Sequence, residues 1–268
     1  TPTLSSAASD VYKRQAYNNL LMQDFPGADG RDLKIGIPRT MYFYDRFPFW
    51  RTYFSHIGVE VVLSDVTNKS IAAQGREFCI AEPCFPIVVG HGHFLDLENK
   101  GADFIFLPQI INSETETPQT ESWVCPWGQT LTLMIRNGLQ DEKLVDKLLM
   151  PIVHFRDGID YVKKEMHPVA KRLGVSKKLS DRAVEAAFKV QAAFRTSVLD
   201  LGVKALHELE ARNGKAVVVV GRRTRRRRAC CCCYCCCSYF IRRGLEFRGQ
   251  DERGCHTRQD GENGWQVH

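Results

Sequence analysis

The chain has 268 residues, including 37 Lys and Arg, 31 Asp and Glu, and 11 Cys, and its formal net charge at pH 7 is +6. Residues 222–268 hold eleven Arg and five acidic residues, which accounts for the whole of this charge, so the preceding part is neutral. Neutrality argues against a nucleic-acid or anionic-membrane partner, and no apolar run approaches the roughly eighteen residues of a membrane span.

The N-terminal segment differs in character from the rest of the chain. Residues 5–15, SSAASDVYKRQ, can be back-translated into a transposase adapter used in preparing sequencing libraries. We therefore interpret residues 1–15 as an artefactual segment that carries no function.

The tail is also unusual. From Arg222 it reads RRTRRRRACCCCYCCCSYF, with six Arg followed by seven Cys within eight residues. Repeated CGN codons for Arg and TGC codons for Cys become codons for Ala, Leu or Gly when they are read one base out of register. We therefore predict that residues 222–268 are out of frame and disordered. A basic nucleic-acid-binding patch or a thiolate metal cluster is the alternative, but contiguous cysteines lack the spacers that metal sites need.

Apolar runs and helical patterns alternate over the first part of the remaining chain. Short apolar runs predict strands at 33–41, 59–64 and 102–107, and helical spacing predicts helices at 44–57, 68–75 and 86–100. This alternation is typical of βαβ units, so we predict an α/β fold with a Rossmann-like parallel sheet covered by helices on both sides. Ligands of such sheets bind beyond the carboxyl ends of the strands.

The later part of the chain is rich in Lys, Glu, Leu and Ala. We predict helices at 128–137, 142–150, 155–171 and 180–211, and a strand at 215–221. The predicted organisation is an α/β cluster-binding-like domain over 16–139, a helical region over 140–213, and the first strand of a second, truncated α/β domain over 214–221.

Residues 16–221 contain three cysteines, and without a secretory signal an odd number argues against a disulfide framework and for a cytoplasmic protein. Cys84 and Cys125 each stand at the start of a predicted helix, where free N–H groups and the helix dipole favour a thiolate. We interpret the pair as ligands of an iron-sulfur site, with one sulfur from each loop. The alternative is two cysteines buried as small hydrophobes.

The other polar residues of these stretches have weaker patterns. Cys79, between two apolar residues, is predicted to belong to the core. His91 and His93 point to different faces of a helix, which argues against joint metal ligation. Arg39 ends the first strand, where it is either a candidate for binding an anion or a surface residue. Glu82, near Cys84, is a candidate for tuning a cluster.

Four ordered motifs carry a family resemblance: KIGIPRTMYFYDRFPFW, AEPCFPIVVGHGH, GADFIFLPQI and WVCPWGQ. Over about residues 33–221 the chain resembles the domain found in the large acyl-CoA dehydratase activases, which are related to the activator of 2-hydroxyglutaryl-CoA dehydratase. This domain is itself similar to the 2-hydroxyacyl-CoA dehydratase subunits.

The resemblance implies a [4Fe-4S] cluster bound by cysteines from separate loops, with Cys84 and Cys125 as the cofactor-binding metal ligands. A third cysteine is expected beyond Val220. In the related anaerobic systems an activator hydrolyses ATP and injects one low-potential electron, and the reduced dehydratase eliminates water through a ketyl radical.

The sugar-kinase-like ATPase part is missing, so the chain is expected to be a fragment that is inactive alone, with an incomplete set of cluster ligands. Its expected partner is an ATPase activase domain or subunit, and an acyl-CoA and a second copy of the chain are further candidates. The alternative function is a cluster-free scaffold that holds an acyl-CoA or a partner protein.

Overall fold

Two parallel ladders form the β-structure of the α/β domain in the computed structural model, which describes residues 15–23, 30–115, 119 and 121–214 and the backbone of four later strands. The strands of the domain are β1 (Lys34–Ile37), β2 (Glu60–Leu63), β3 (Phe104–Phe106), β4 (Gln109–Asn112), β5 (Leu148–Leu149) and β6 (Ile152–His154). Four of them form a parallel sheet in the order β2-β1-β3-β5, and β4 pairs with β6, also in parallel. The predicted parallel sheet is thus confirmed.

Helices precede the sheet, follow its strands and close the domain. They are α1 (15–21), α2 (Phe43–His56), α3 (Lys69–Phe78), α4 (Phe85–Asn99), α5 (Pro126–Gly138), α6 (Glu142–Asp146), α7 (Ile159–Arg172) and α8 (Lys177–Ala211). None of the helices in the described part of the chain is long and apolar enough to cross a membrane.

Side chains that alternate along each strand enter two separate cores, one on each face of the sheet. Phe106 and Leu149 belong to the core shared with α2, α7 and α8. Ile105 and Leu148, their neighbours in sequence, belong to the core shared with α4 and α5. The sheet is therefore the middle layer of three, which explains why its strands are apolar on both faces.

The aromatic helix α2 packs between the sheet and the long helix α8. On the sheet side, the Trp50 and Phe54 rings lie 4.7 and 5.0 Å from the ring of Phe106. On the other side, the Tyr53 hydroxyl lies 2.9 Å from the Ser180 hydroxyl of α8. Because α2 is covered on two sides, its aromatic residues surround most of the helix rather than forming one stripe.

Glycines bring the backbones of α3 and α4 into direct contact. A Cβ atom on Gly75 would lie 2.1 Å from the Val88 carbonyl oxygen, and one on Gly92 would lie 1.9 Å from the Ile71 carbonyl oxygen. Any other residue at either position would push the two helices apart. This contact fixes the axis of α4, at whose start Cys84 lies.

The predicted helix at 142–150 is wrong in its second half. Helix α6 stops at Asp146, and Leu148–Leu149 form β5, the fourth strand of the sheet. The cause is a long-range interaction: the backbone N–H of Ile105 donates to the Lys147 carbonyl at 2.9 Å and draws this segment onto β3. Strands β4 and β6 were not predicted either, because three or four residues show no clear periodicity.

The other predicted elements are present with shifted ends, and helices occupy most of the predicted helical region. The strand predicted at 215–221 corresponds to β7 (Ala216–Gly221), whose backbone pairs antiparallel with β8 (Ser238–Arg243). Strands β9 (Thr257–Gln259) and β10 (Trp265–Val267) pair with each other. Most of the segments 1–15 and 222–268 lie outside the described residues, and their artefactual origin stays a prediction, as do the domain boundaries.

Candidate functional site

Cys84 is the residue immediately before α4, where its extended backbone begins the helix. Its carbonyl oxygen accepts hydrogen bonds from the N–H groups of Ile87 and Val88, at 2.9 and 3.2 Å. Its half-buried side chain packs against the core shared with α4 and α5 and makes no capping hydrogen bond to the helix. The predicted position at a helix start is thus confirmed.

Cys125 occupies the same position before α5. Its carbonyl oxygen accepts from the N–H groups of Gly128 and Gln129, at 2.8 and 3.1 Å. Only 3% of Cys125 is exposed, whereas Trp123 and Trp127, two residues to either side, are exposed by 59% and 41%. The thiol therefore lies just beneath a surface that carries two solvent-accessible indoles.

The segment after β1, residues 40–42, contacts the first turns of both helices. The Thr40 hydroxyl donates to the Pro86 carbonyl of α4 at 3.1 Å. Met41 Cε and Tyr42 Oη each lie 2.7 Å from the position that a Cβ on Gly128 of α5 would occupy. Both cysteine-bearing helix starts thus adjoin one segment at the carboxyl edge of the sheet, which is where ligands of such folds bind.

Met41 is held in an uncommon backbone conformation, with φ of 50°. This left-handed region is rarely adopted by residues with a long side chain. The conformation turns the chain from β1 into α2 within a few residues. It also places the Met41 side chain against Gly128, so the glycine and the strained residue depend on one another.

A small cavity lies at the same edge. Its volume is about 40 Å³, and it is lined mainly by the residues after β1 and β3 and by the first two turns of α5. Thr132 of α5 lies at its wall and donates its hydroxyl to the Leu107 carbonyl at 2.9 Å. The cavity is partly open to solvent, and its volume is on the scale of one or two water molecules rather than of an acyl-CoA.

Cys79 contacts His91 of α4. The Nδ1 atom of His91 lies 2.8 Å from the Ile87 carbonyl oxygen and 3.4 Å from the Cys79 sulfur, so Nδ1 carries a proton and donates it. Burial raises the pKa of the Cys79 thiol and lowers the pKa of His91. Both groups therefore favour their uncharged forms, in keeping with a structural role for this pair.

His93 faces a different neighbour, as its spacing from His91 predicts. Its Nδ1 atom lies 2.9 Å from the Ser64 hydroxyl and its Nε2 atom 3.0 Å from the Thr67 hydroxyl. Complete burial lowers the pKa of His93 from 6.5 to about 4. The imidazole is thus neutral at pH 7 and joins α4 to the residues after β2.

Arg39 and Glu82 have different surroundings. The Arg39 backbone N–H donates to the Ser64 hydroxyl at 2.9 Å, and its guanidinium lies 5.9 Å from the centre of the Phe43 ring. Arg39 is thus fixed at the end of β1 through its backbone. Glu82 is exposed on the connection between α3 and α4.

An ion cluster near the site was not predicted. Arg46 of α2 is completely buried, and its guanidinium pairs with the carboxylate of Glu114, which also accepts from Arg195 of α8 at 2.9 Å. Glu114 is 68 positions from Arg46 and 81 positions from Arg195 in the sequence, so no local pattern could have identified the cluster. The presence of arginine among the aromatic residues of α2 was a weak signal in the sequence, because a buried charge requires a partner.

The described residues contain no group of three or more His, Cys, Asp or Glu arranged to hold a metal ion. The three cysteines among them form no disulfide with each other. Cys84 and Cys125 therefore represent two thiol donors rather than a complete metal site.

Comparison with known proteins supports the family resemblance. No curated protein and no solved structure matches the chain significantly. The family model of the CoA enzyme activase uncharacterised domain matches residues 34–224, which confirms the resemblance to activases and agrees closely with its predicted extent. Since this match spans well over half of the chain, the protein belongs to the CoA enzyme activase uncharacterised domain family.

Proposed function

We propose that this chain is an iron-sulfur, electron-transfer or dehydratase-like module of a 2-hydroxyacyl-CoA dehydratase activase system, and that Cys84 and Cys125 are two ligands of a [4Fe-4S] cluster. The observation that carries the proposal is the placement of both cysteines before helices that adjoin the segment after β1. Membership of the activase family supports the choice of system.

The cysteines of the described part of the chain fit such a cluster in kind but are too few to complete it. Thiolates are the usual ligands of iron in these clusters, and a cubane has four ligand positions. The remaining ligands would come from residues outside the described part or from a partner. When bound, the cluster supplies low-potential one-electron transfer.

The protein would place the two cysteine sulfurs and limit the access of solvent to them. Helices α4 and α5 present their N-terminal ends next to the two sulfurs, and a helix start favours negative charge. The low exposure of Cys125 restricts access of water and oxidants to that ligand. ATP hydrolysis belongs to an ATPase domain or subunit, and a dehydratase is the expected acceptor of the electron.

The low exposure of Cys125 also favours a second candidate function, a cluster-free scaffold that binds an acyl-CoA or a partner protein. In that case the thiols are small apolar side chains of the core. The exposed Trp123 and Trp127 would then serve as contact residues on the surface.

The two functions can be separated by anaerobic reconstitution with iron and sulfide, followed by iron and acid-labile sulfide analysis. For the cluster we expect about four iron atoms per chain, lost in both Cys84→Ala and Cys125→Ala. The matched control is Cys79→Ala, which should retain the iron. Equal iron in all three variants and the unaltered chain would assign the iron to other residues and favour the scaffold.

A further inference from the structure

The chain reaches Cys125 through two backbone arms that pair with each other. The outgoing arm, residues 111–113, is the end of β4 and the residue after it, and the returning arm, residues 122–124, precedes α5. The Ser113 N–H donates to the Ser122 carbonyl at 3.1 Å, and the Val124 N–H donates to the Ile111 carbonyl at 3.0 Å. Since Cys125 is the next residue after the returning arm, any movement of these arms moves its thiol.

Glu114 lies directly after the outgoing arm and is held by two arginines. Arg46 forms a two-point contact with its carboxylate, with Nη1 at 3.1 Å from Oε1 and Nη2 bonded to Oε2. Arg195 of α8 donates to Oε2 at 2.9 Å. This planar, two-point geometry restrains the direction of the carboxylate as well as its distance.

The core holds Arg46 itself in place. The residue is completely buried, and its guanidinium carbon lies 3.9 Å from the centre of the Phe155 ring. Its Nε atom lies 3.3 Å from a carboxylate oxygen of Asp45, whose side chain is largely exposed. Arg46 therefore provides a rigid attachment point within the hydrophobic core for the arm that begins at Glu114.

Glu114 is charged at neutral pH. Burial alone would raise the pKa of Glu114, but the hydrogen bond from Arg46 and the charges of Arg46 and Arg195 outweigh it and leave the pKa below its ordinary value. The attachment is thus an ion cluster rather than a neutral hydrogen bond. Such clusters are costly to break by removing one member, because a buried charge is left without its partner.

We propose that Glu114 is a positioning residue for Cys125: the Arg46–Glu114–Arg195 cluster holds the two arms in place and keeps the Cys125 thiol beneath the surface. The role of Cys125 as a cluster ligand rests on the proposed function. The restraint on its thiol does not, since it results from the contacts of the arms.

The test is the rate at which iodoacetamide alkylates each cysteine of the folded, full-length chain without iron, followed by peptide mass spectrometry. A thiol that is 3% exposed reacts only when the surrounding structure opens locally. Replacing Glu114 with Gln removes the charge and part of the hydrogen bonding, and we expect Cys125 to react about tenfold faster. The rates at Cys79 and Cys84 should stay unchanged.

Two further variants keep the test decisive. Arg195→Gln leaves the Arg46–Glu114 pair intact, so it reports on the cluster even if Glu114→Gln does not fold, and it should accelerate Cys125 by a smaller factor. Glu185→Gln is the matched control, since the exposed Glu185 of α8 pairs with Lys163 of α7 at 2.8 Å and takes no part in the Glu114 cluster. It should leave the rate at Cys125 unchanged.

The proposal is overturned if Cys125 reacts at its original rate in the folded Glu114→Gln and Arg195→Gln variants. Equal acceleration of all three cysteines would also overturn it, because that result indicates general loosening. Absence of iron from the reconstituted chain would reject the proposed function and leave the alkylation result standing. If iron is lost in the Cys84 and Cys125 variants but the alkylation rates stay unchanged, the proposed function stands and the positioning role of Glu114 is rejected.

Discussion

Replacing His93 with Gln is expected to remove a pH-dependent part of the stability of the protein. His93 is completely buried, bonded to two hydroxyl groups, and its pKa is lowered to about 4. The pKa of the unfolded chain is the ordinary 6.5, so the unfolded state binds more protons between these values. The stabilising contribution is fully present above about pH 6.5 and is lost as the pH falls towards 4.

The size of the effect is set by the two pKa values. The difference between pKa values of 6.5 and about 4 corresponds to at most about 3 kcal/mol of unfolding free energy. About 2 kcal/mol of it is lost between pH 7 and pH 5. His91 has a pKa lowered in the same direction and contributes equally in the original chain and in the variant. The difference between the two proteins therefore isolates His93.

The measurement is urea-induced unfolding at pH 7, 6 and 5, followed by tryptophan fluorescence. His93→Gln should be less stable at pH 7, but its stability should fall by about 2 kcal/mol less than that of the original chain on going to pH 5. The control is His207→Gln, which alters an exposed residue of α8 and should behave like the original chain. If His93→Gln and the original chain lose the same stability, His93 is not held neutral by burial.

Three other substitutions test local packing through unfolding free energies. Gly128→Ala places a methyl group 2.7 Å from side-chain atoms of Met41 and Tyr42 and should destabilise the protein by about 1–3 kcal/mol; an unchanged midpoint would mean that this contact yields freely. Gly202→Ala, in a part of α8 with open space around it, should instead stabilise the helix by up to about 1 kcal/mol, and a loss of stability would contradict the packing described. Asn68→Ala removes the side-chain acceptor at the start of α3 and should cost about 1 kcal/mol, whereas Asn68→Asp should retain most of that stability.

The sequence predicted the elements whose patterns are long and local. Helix α2 was predicted from the helical spacing of aromatic residues in its sequence, and the starts of α4 and α5 are marked by a cysteine with a proline shortly after it. Those starts are also where Cys84 and Cys125 lie, so half of the candidate site was predictable from position alone.

The remainder depends on contacts between distant residues. Strand β5 contains two leucines that on their own favour a helix, and only pairing with β3 makes them a strand. Residues 40–42 contact the starts of both α4 and α5, and this contact depends on how the segments before α2, α4 and α5 pack together. The cluster around Glu114 requires Arg46 and Arg195 to meet across two helices, which composition does not reveal.

The break between the two parallel ladders has a mechanical consequence. Strands β3 and β4 are separated by Leu107 and Pro108, and β5 and β6 by Met150 and Pro151. Each proline removes an amide donor from the ladder, although the Gln109 N–H still donates to the Pro151 carbonyl at 2.8 Å. The Leu107 N–H likewise donates to the Leu149 carbonyl at 2.9 Å, so backbone hydrogen bonds continue across the break and tie β4 and β6 to the inner strands. Because Ile110 of β4 and Val153 of β6 are buried in the core that also holds Phe106, a shift of the cysteine-bearing edge acts directly on that core.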